Sequence, residues 1–99
     1  MGWTVICEDE NGEVVAEFGS ELDFTIIEPF ISKHLGFQLL HYLDLYGDTV
    51  FNHLQLPDLR TDLEKLKAYG GSSKVIDELL ELVAICEEGD HLYLKFYGD

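Results

Sequence analysis

The sequence predicts a single α+β domain over residues 1–99, in which a small antiparallel sheet packs against about three helices. Three observations predict this fold: an alternating N-terminal segment interrupted by Asn-Gly, two segments with leucines at helical spacing, and an alternating C-terminal segment, "HLYLKFY". Strands that flank a run of helices are typical of α+β folds. We expect the sheet to comprise the N-terminal hairpin and the C-terminal strand, paired with each other.

The N-terminal hairpin lies within "WTVICEDENGEVVAEF". Asn11-Gly12 fits a two-residue type I′ turn, because both residues tolerate positive φ. That turn sets a register with the pairs Asp9–Val14, Cys7–Ala16 and Val5–Phe18. Alternation then separates an apolar face from an acidic one. The apolar face holds Trp3, Val5, Cys7, Val14, Ala16 and Phe18, and the acidic face holds Glu8, Glu10, Glu13 and Glu17.

For residues 24–46, the sequence does not decide between a strand and a helix. "FTIIEPFI" fits a short strand, and Pro29 then suits the start of a helical turn through residues 29–36. "FQLLHYLDLY" alternates as a strand does, although its leucines also suit a helix. We favour an extended segment here.

A first short helix is predicted over "TVFNHLQ", with Asp48 as its N-cap. The carboxylate of Asp48 can accept amide hydrogens that have no partner within the first turn. Gly47 permits a chain reversal before it, Val50 and Phe51 fill the core, and Asn52 holds the backbone of the following loop.

Two longer helices follow. Pro57 starts one of them, with Asp58 in its first turn and lysines in its last turn, as the helix dipole favours. Its buried stripe comprises Leu59, Leu63 and Leu66, and Gly70-Gly71 ends it. The other helix follows a Ser72-Ser73 cap and stops at Gly89. Its inner face comprises Ile76, Leu79, Leu80, Val83 and Cys86, while Asp77, Glu78 and Glu81 project outward.

The two cysteines, Cys7 and Cys86, are predicted to be buried free thiols, with a disulfide as the less favoured alternative. No CxxC or Cys/His spacing suggests zinc, so we expect no metal and no cofactor. No apolar run is long enough to span a bilayer, and "MGWTVICEDE" lacks the basic start of a signal peptide. We therefore expect a soluble cytoplasmic protein.

The charge is strongly acidic, with 20 acidic and six basic residues and a formal net charge of −14. Residues 1–32 hold eight acids and no base, and residues 75–94 hold six acids and no base. Such a surface repels nucleic acid and anionic membranes and attracts a basic protein partner. The alternative is that the acidity only keeps the protein soluble.

Catalytic chemistry is not favoured by the sequence. A nucleophile, a base and an orienting group would have to converge, and the choices are Thr49 or Cys7 with His41 or His53. Asp44 and Asp48 form a possible carboxylate pair, but Asp48 already suits a cap. We expect no enzyme, and a small enzyme using His41, Asp48 and His53 is the least favoured hypothesis.

A resemblance is carried by "YLDLYGDTVFNHLQLPDLRTDLEKL" and "HLYLKFYGD". Together they resemble small bacterial proteins with a YGDTVFN-type elbow, a leucine-striped helix and a closing strand that ends in Gly-Asp. The resemblance covers residues 40–99 and is most specific in residues 46–52 and 91–99. Similar small acidic proteins are immunity partners, or antitoxins, in polymorphic-toxin systems, including contact-dependent growth inhibition. The resemblance carries over no catalytic residues.

Charge and resemblance lead to one expectation, an immunity protein that neutralises a basic toxin domain by stoichiometric binding. A nuclease is the favoured toxin, because carboxylates can occupy a cleft that is built to hold phosphates. The alternative is an acidic adaptor or nucleic-acid mimic that binds a DNA- or RNA-binding host protein. The predicted contact residues are Glu8, Glu10, Glu13, Asp44, Tyr46, Asp77, Glu78, Glu81, Tyr93 and Tyr97.

Overall fold

The computed structural model describes residues 2–19, 21–31, 36–44 and 46–98, without the side chain of Phe24. It confirms the predicted α+β class, with a five-stranded antiparallel sheet and three α-helices. In chain order the elements are β1 (Gly2–Asp9), β2 (Val14–Glu17), β3 (Leu22–Asp23), α1 (Glu28–Ile31), β4 (Asp48–Phe51), α2 (Leu56–Ala68), α3 (Ser73–Glu88) and β5 (Leu92–Tyr97). Within the described residues, no helix is long and apolar enough to cross a membrane.

The sheet has the strand order β2-β1-β5-β4, and β3 pairs with the start of β1. The predicted pairing of the C-terminal strand with the hairpin is confirmed, since β5 runs antiparallel to β1 from Thr4–Tyr97 to Asp9–Leu92. Trp3, Val5 and Cys7 on β1 are buried, as predicted. They share the inner face of the sheet with Leu94 and Phe96 of β5, which are also buried.

The turn between β1 and β2 is wider than predicted. The amide of Asp9 donates to the carbonyl of Glu13 and the amide of Gly12 to the carbonyl of Asp9, both at 3.0 Å, which leaves three residues in the loop. Such a loop requires positive φ at one residue only, and Gly12 supplies it with φ 82°. The carboxylate of Asp9 accepts the amides of Asn11 and Glu13, which stabilises this turn over the two-residue type I′ turn.

The hairpin register is partly as predicted. Cys7 faces Ala16, and the amide of Phe18 donates to the carbonyl of Val5 at 2.9 Å, but a bulge follows and Glu8 faces Val14. The predicted Asp9–Val14 pair is therefore wrong. Since a bulge adds one residue to one strand, it reverses the face of the residues beyond it. Val14 accordingly lies outside the core, 55% exposed.

The segment after Gly47 is a strand rather than a helix, so the predicted N-cap at Asp48 is wrong. Asp48–Phe51 forms β4, an edge strand paired with β5. Thr-Val-Phe favours strands, and the alternation buries Phe51 while it leaves Val50 exposed, contrary to its predicted place in the core. The rings of Phe51 and Phe96 meet edge to face, with centroids 5.8 Å apart.

The described residues within 24–44, which are residues 24–31 and 36–44, form neither a strand nor a long helix. The predicted strand in "FTIIEPFI" is wrong, because Phe24–Ile26 forms a 3-10 turn and Pro29 lies in α1, the helical turn expected at that proline. The favoured extended segment after residue 37 is also wrong, since Leu40–Tyr42 forms a second 3-10 turn. Residues 32–35 and 45 lie outside the described part of these predictions.

A buried carboxylate holds this irregular segment in place. Asp62 on α2 is 1% exposed, and it accepts the amides of Gln38, Leu39 and Leu40 at 2.9, 2.6 and 3.1 Å. Hydrogen bonds from backbone amides replace the water that the carboxylate loses on burial. The segment is thereby fixed against α2 without regular secondary structure of its own.

The two long helices form where the leucine pattern predicts them. Leu59, Leu63 and Leu66 are all fully buried on α2, and α3 is bounded by Ser72 and Gly89. The inner face of α3 differs by one residue, because Leu82 is buried whereas Leu80 is only partly buried.

Cys7 and Cys86 form a disulfide, so the predicted free thiols are wrong. Cys7 lies on the inner face of the central strand and Cys86 on the inner face of the helix that covers it, with 6.2 Å between their Cα atoms. The apolar patterns that predicted burial of each cysteine thus place both in the same layer of the core.

Candidate interaction surface

The face of the sheet away from the buried core, which we call the outer face, carries side chains that are mostly exposed or partly buried. Its members follow from the strand alternation and are Thr4, Ile6 and Glu8 on β1, Tyr93, Lys95 and Tyr97 on β5, Asp48 and Val50 on β4, and Val14 and Glu17 on β2. This face therefore combines aromatic and aliphatic groups, which suit the centre of a protein interface, with acidic groups, which suit its polar rim.

A polar cluster occupies the middle of the outer face. The phenol of Tyr97 donates to one carboxylate oxygen of Glu8 at 2.5 Å, and the ammonium of Lys95 contacts the other at 2.9 Å. With both oxygens engaged, Glu8 is only 7% exposed. Glu8 and Tyr97, two of the predicted contact residues, are thus already bonded to each other within the chain.

The cluster shifts the protonation equilibria of its members. The hydrogen bond from Tyr97, followed by that from Lys95, lowers the pKa of the Glu8 carboxyl. The same contacts with Glu8 raise the pKa of Tyr97 and of Lys95. Because the pKa of Glu8 is lower in the folded chain, its contribution to stability is complete above the unfolded pKa and is lost as pH falls through the folded pKa. The contributions of Tyr97 and Lys95 are instead present below their unfolded pKa values and are lost at alkaline pH.

We expect Tyr97→Phe to lower the free energy of unfolding by about 1 kcal/mol at neutral pH, because it removes one hydrogen bond to a charged, covered carboxylate. The difference from the unsubstituted protein should shrink as acid protonates Glu8. Urea denaturation over an acid pH series measures it, and Tyr93→Phe is the matched control, since no described group bonds to that phenol. An equal loss in both variants, or one independent of pH, would contradict the role assigned to Tyr97.

One end of the sheet, which we call the turn end, brings three connections together: residues 10–13 between β1 and β2, residues 52–55 between β4 and α2, and residues 89–91 between α3 and β5. Two grooves meet there. The larger, of about 360 Å³, is lined by residues 52–54 and 90–93. The smaller, of about 300 Å³, is lined by Asp9, Glu10, Gly12, Val50, Tyr93 and Lys95. Tyr93 lines both grooves and so forms the wall between them.

The opposite end of the sheet carries the "YGDTVFN" elbow. The indole of Trp3 donates to the carbonyl of Asp44 at 2.9 Å, and the amide of Gly98 donates to the carbonyl of Gly47 at the same distance. Asp44 also accepts the amide of Tyr46, whose ring is 71% exposed. A Cβ atom at position 47 would lie 2.8 Å from the Asp44 carboxylate, so a larger residue there would displace that side chain. The elbow is therefore a structural anchor that leaves Tyr46 facing solvent.

The acids predicted on α3 lie on a third surface. Asp77 pairs with Lys67 at 2.9 Å, whereas Glu78 and Glu81 are exposed. Together with the turn end, the elbow and the polar cluster that holds Glu8 and Tyr97, this divides the predicted contact residues among four regions. Glu10, Glu13 and Tyr93 lie at the turn end, and Asp44 and Tyr46 lie at the elbow.

The structure does not bring together His41, Asp48 and His53, the three residues of the catalytic alternative. His53 follows one end of β4 and Asp48 begins the other, so the strand separates them. His41 is exposed, and its Nδ1 lies 3.0 Å from the carbonyl oxygen of Phe37. Within the described residues, no group of three or more His, Cys, Asp or Glu side chains could hold a metal ion.

A scan against protein-family models, a search of curated proteins and a search of solved structures each found no match to this chain. Function must therefore be argued from the geometry of the site and from the resemblance noted in the sequence.

The contact residues predicted from the sequence omit part of the turn end. Leu54 is 84% exposed, and with Asp90 and His91 it lines the larger groove, yet none of the three was predicted as a contact residue. The short helix predicted over "TVFNHLQ" includes Leu54, so the sequence did not indicate an exposed loop residue at that position. The available signal was a leucine in a polar connection just before Pro57.

Proposed function

We propose that this protein is an immunity protein, which neutralises a basic bacterial toxin domain by stoichiometric binding. The observation that carries the proposal is the formal net charge of −14, which the chain's six bases do not offset. Arg60 pairs with Glu87, Lys67 with Asp77 and Lys95 with Glu8. Lys65 donates to the carbonyl of Gly36 and lies 5.7 Å from the centre of the Phe37 ring.

The remaining acids exceed what solubility requires. A net charge magnitude of about 2–8 keeps a small domain soluble, whereas this chain has −14. Excess charge of one sign destabilises a folded chain by self-repulsion, so its retention favours a use in binding. Glu10, Glu13, Glu78 and Glu81 are exposed, and none of them forms an ion pair with another described residue.

A basic toxin domain fits this surface best. The acidic field would accelerate its encounter, and a nuclease cleft built for phosphates would accept carboxylates. The resemblance of residues 40–99 to small acidic immunity proteins supports the same function. Binding in the cytoplasm of the toxin-producing cell is part of the proposal, since self-protection requires the inhibitor where a nuclease would act.

The test begins with a search for a basic toxin domain encoded next to the gene for this chain. We expect a 1:1 complex by size-exclusion chromatography with light scattering, loss of toxin activity in that complex, and restored growth of cells that express both proteins. Affinity should fall steeply as salt is raised. Absence of a complex at low salt, together with absence of growth rescue, rules the function out. Capture of a host regulator in place of a toxin would support the adaptor alternative.

Charge reversal distinguishes binding from mere solubility. We expect one of two matched double variants, Glu10→Lys with Glu13→Lys or Glu78→Lys with Glu81→Lys, to slow association by about tenfold or more, because rim charges act mainly on the association rate. Stopped-flow measurement of association checks this, and thermal unfolding checks that both variants fold. Unchanged association rates in both variants would mean that these acids serve only solubility.

A further inference from the structure

The larger groove at the turn end has two kinds of wall. Leu54, Leu92 and the ring of Tyr93 supply apolar surface, while Asn52, Asp90 and the imidazoles of His53 and His91 supply polar groups. Asp90 is exposed and forms no ion pair with another described residue. A volume of about 360 Å³ lies at the lower end of the range for small-ligand pockets, which is enough room for a single large side chain.

The negative charge around the groove favours a cationic ligand over an anionic one. Asp90 lies on its edge, and across Tyr93 the smaller groove adds Asp9 and Glu10. Lys95 is the one basic residue that lines the smaller groove, and Glu8 already neutralises it at 2.9 Å. An anion would therefore meet uncompensated carboxylates, and a second copy of this chain would bring the same negative charge.

We propose that this groove binds an arginine side chain of the basic partner. This inference rests on the proposed function and specifies where that partner binds. Arginine fits both kinds of wall, since its methylene stem packs on leucine while its planar guanidinium stacks on an aromatic ring and bonds to a carboxylate. A lysine ammonium is more strongly hydrated and has no plane to stack, so it gains less from the same walls.

Exposed Leu54 supports this assignment independently of charge. At 84% exposure it is the most exposed large hydrophobic side chain among the described residues, and it stands on the rim of a groove rather than on an isolated loop tip. Burial of its side chain against a partner would contribute favourably, because apolar surface would leave water. Arginine and tyrosine are among the residue types most often found as interface anchors, and such anchors pack in pockets that exclude water.

The experiment is an NMR titration of the uniformly ¹⁵N-labelled protein with N-acetyl-L-arginine methylamide at low salt. N-acetyl-L-lysine methylamide is the matched probe. We expect saturable shifts of the amides of residues 52–54 and 90–93, with tighter binding of the arginine derivative. Linear, non-saturable shifts that extend equally to Glu78 and Glu81 would overturn the site, as would equal binding of both probes or no shifts.

Two substitutions test whether the side chains of Asp90 and Leu54 contribute to binding of the arginine derivative. Asp90→Asn should weaken binding of the arginine derivative by about tenfold, because a charge-assisted hydrogen bond is lost. Leu54→Ser should weaken it measurably without disturbing the fold, since that side chain is exposed. Glu64→Gln on α2 removes an equal charge away from the groove and should have no effect. Equal weakening by Asp90→Asn and Glu64→Gln would show general attraction to the acidic field rather than a site.

The outcomes of this titration and of the toxin experiment are separable. A toxin complex whose affinity Asp90→Asn leaves unchanged, with no saturable arginine binding, overturns the groove and leaves the immunity function standing. Saturable binding of the arginine derivative, with neither a toxin complex at low salt nor growth rescue, supports the groove as a guanidinium site and rules out the proposed immunity function.

Discussion

Replacing Asp62 by alanine should lower the free energy of unfolding by about 3 kcal/mol or more, one of the two largest effects that we expect from this chain. The carboxylate accepts three successive backbone amides at 2.6 to 3.1 Å and is 1% exposed. Its removal leaves those amides without their acceptor in a covered position, and an unsatisfied buried donor costs more than an exposed one.

The loss should be concentrated in one segment. Native-state hydrogen exchange of the Asp62→Ala variant should show faster exchange at Gln38, Leu39 and Leu40, while the amides of β1 and β5 keep their order of protection. Urea denaturation supplies the global value. Asp62→Asn is the informative second variant, because its amide keeps the shape and one acceptor oxygen but loses the charge, and we expect an intermediate loss.

Glu64→Ala is the matched control for Asp62→Ala. It removes a carboxylate two residues away on the same helix, but from an exposed position, where such changes are usually within about 0.5 kcal/mol. If Asp62→Ala and Glu64→Ala destabilised the protein equally, the three hydrogen bonds to Asp62 would stabilise the fold no more than hydrogen bonds to water do. The anchoring role would then be wrong.

Asp62 also shows which parts of the fold the sequence could not predict. Leucine spacing located α2 and α3, because a helix that covers a sheet must present one apolar stripe, and the alternation of "HLYLKFY" located β5. Residues 36–44 carry a pattern that suits both a strand and a helix, and their conformation is set instead by a carboxylate more than 20 residues away in the sequence. A tertiary hydrogen bond of this kind leaves no local pattern.

The error at β4 has a related cause. "DTVF" is too short for a period of two to be distinguished from a helical turn, and Asp is a good N-cap wherever a helix follows. Only the edge of β5, about 45 residues later, decides the outcome, because β4 exists through its pairing with that strand. The bulge that exposes Val14 was equally unpredictable, since Asn-Gly suits more than one hairpin turn.

The interaction surface was predictable by residue type but not by location. The sequence predicted outward-facing acids and tyrosines, and Glu10, Glu13, Glu78 and Glu81 are exposed. It could not show that they occupy different regions, or that Tyr97 and Lys95 engage Glu8. Grooves form where loops from distant parts of the chain meet, as residues 52–54 and 90–93 do, and no single-sequence pattern encodes that meeting.

Reduction of the Cys7–Cys86 disulfide should lower the free energy of unfolding by up to about 4.5 kcal/mol. The bond closes a loop with a sequence separation of 79, and in the chain-entropy model a loop of that length restricts the unfolded chain by about this amount. Since a domain of this size has a total stability of about 5–15 kcal/mol, the effect would be a large fraction of the whole.

Urea denaturation with and without dithiothreitol measures the effect, and the double variant Cys7→Ala with Cys86→Ala is the control, whose stability should not respond to dithiothreitol. Both cysteines are fully buried, so reduction of the native protein should be slow and should accelerate in mild denaturant. Two free thiols titrated in denatured, never-reduced protein would show that the bond does not form.

The stability of the reduced protein bears on the cellular compartment in which the protein can act, because cytosolic reductants keep most thiols reduced. An immunity protein acting there would have to remain folded on the sheet–helix core alone, and the stability of the double variant measures whether that core suffices.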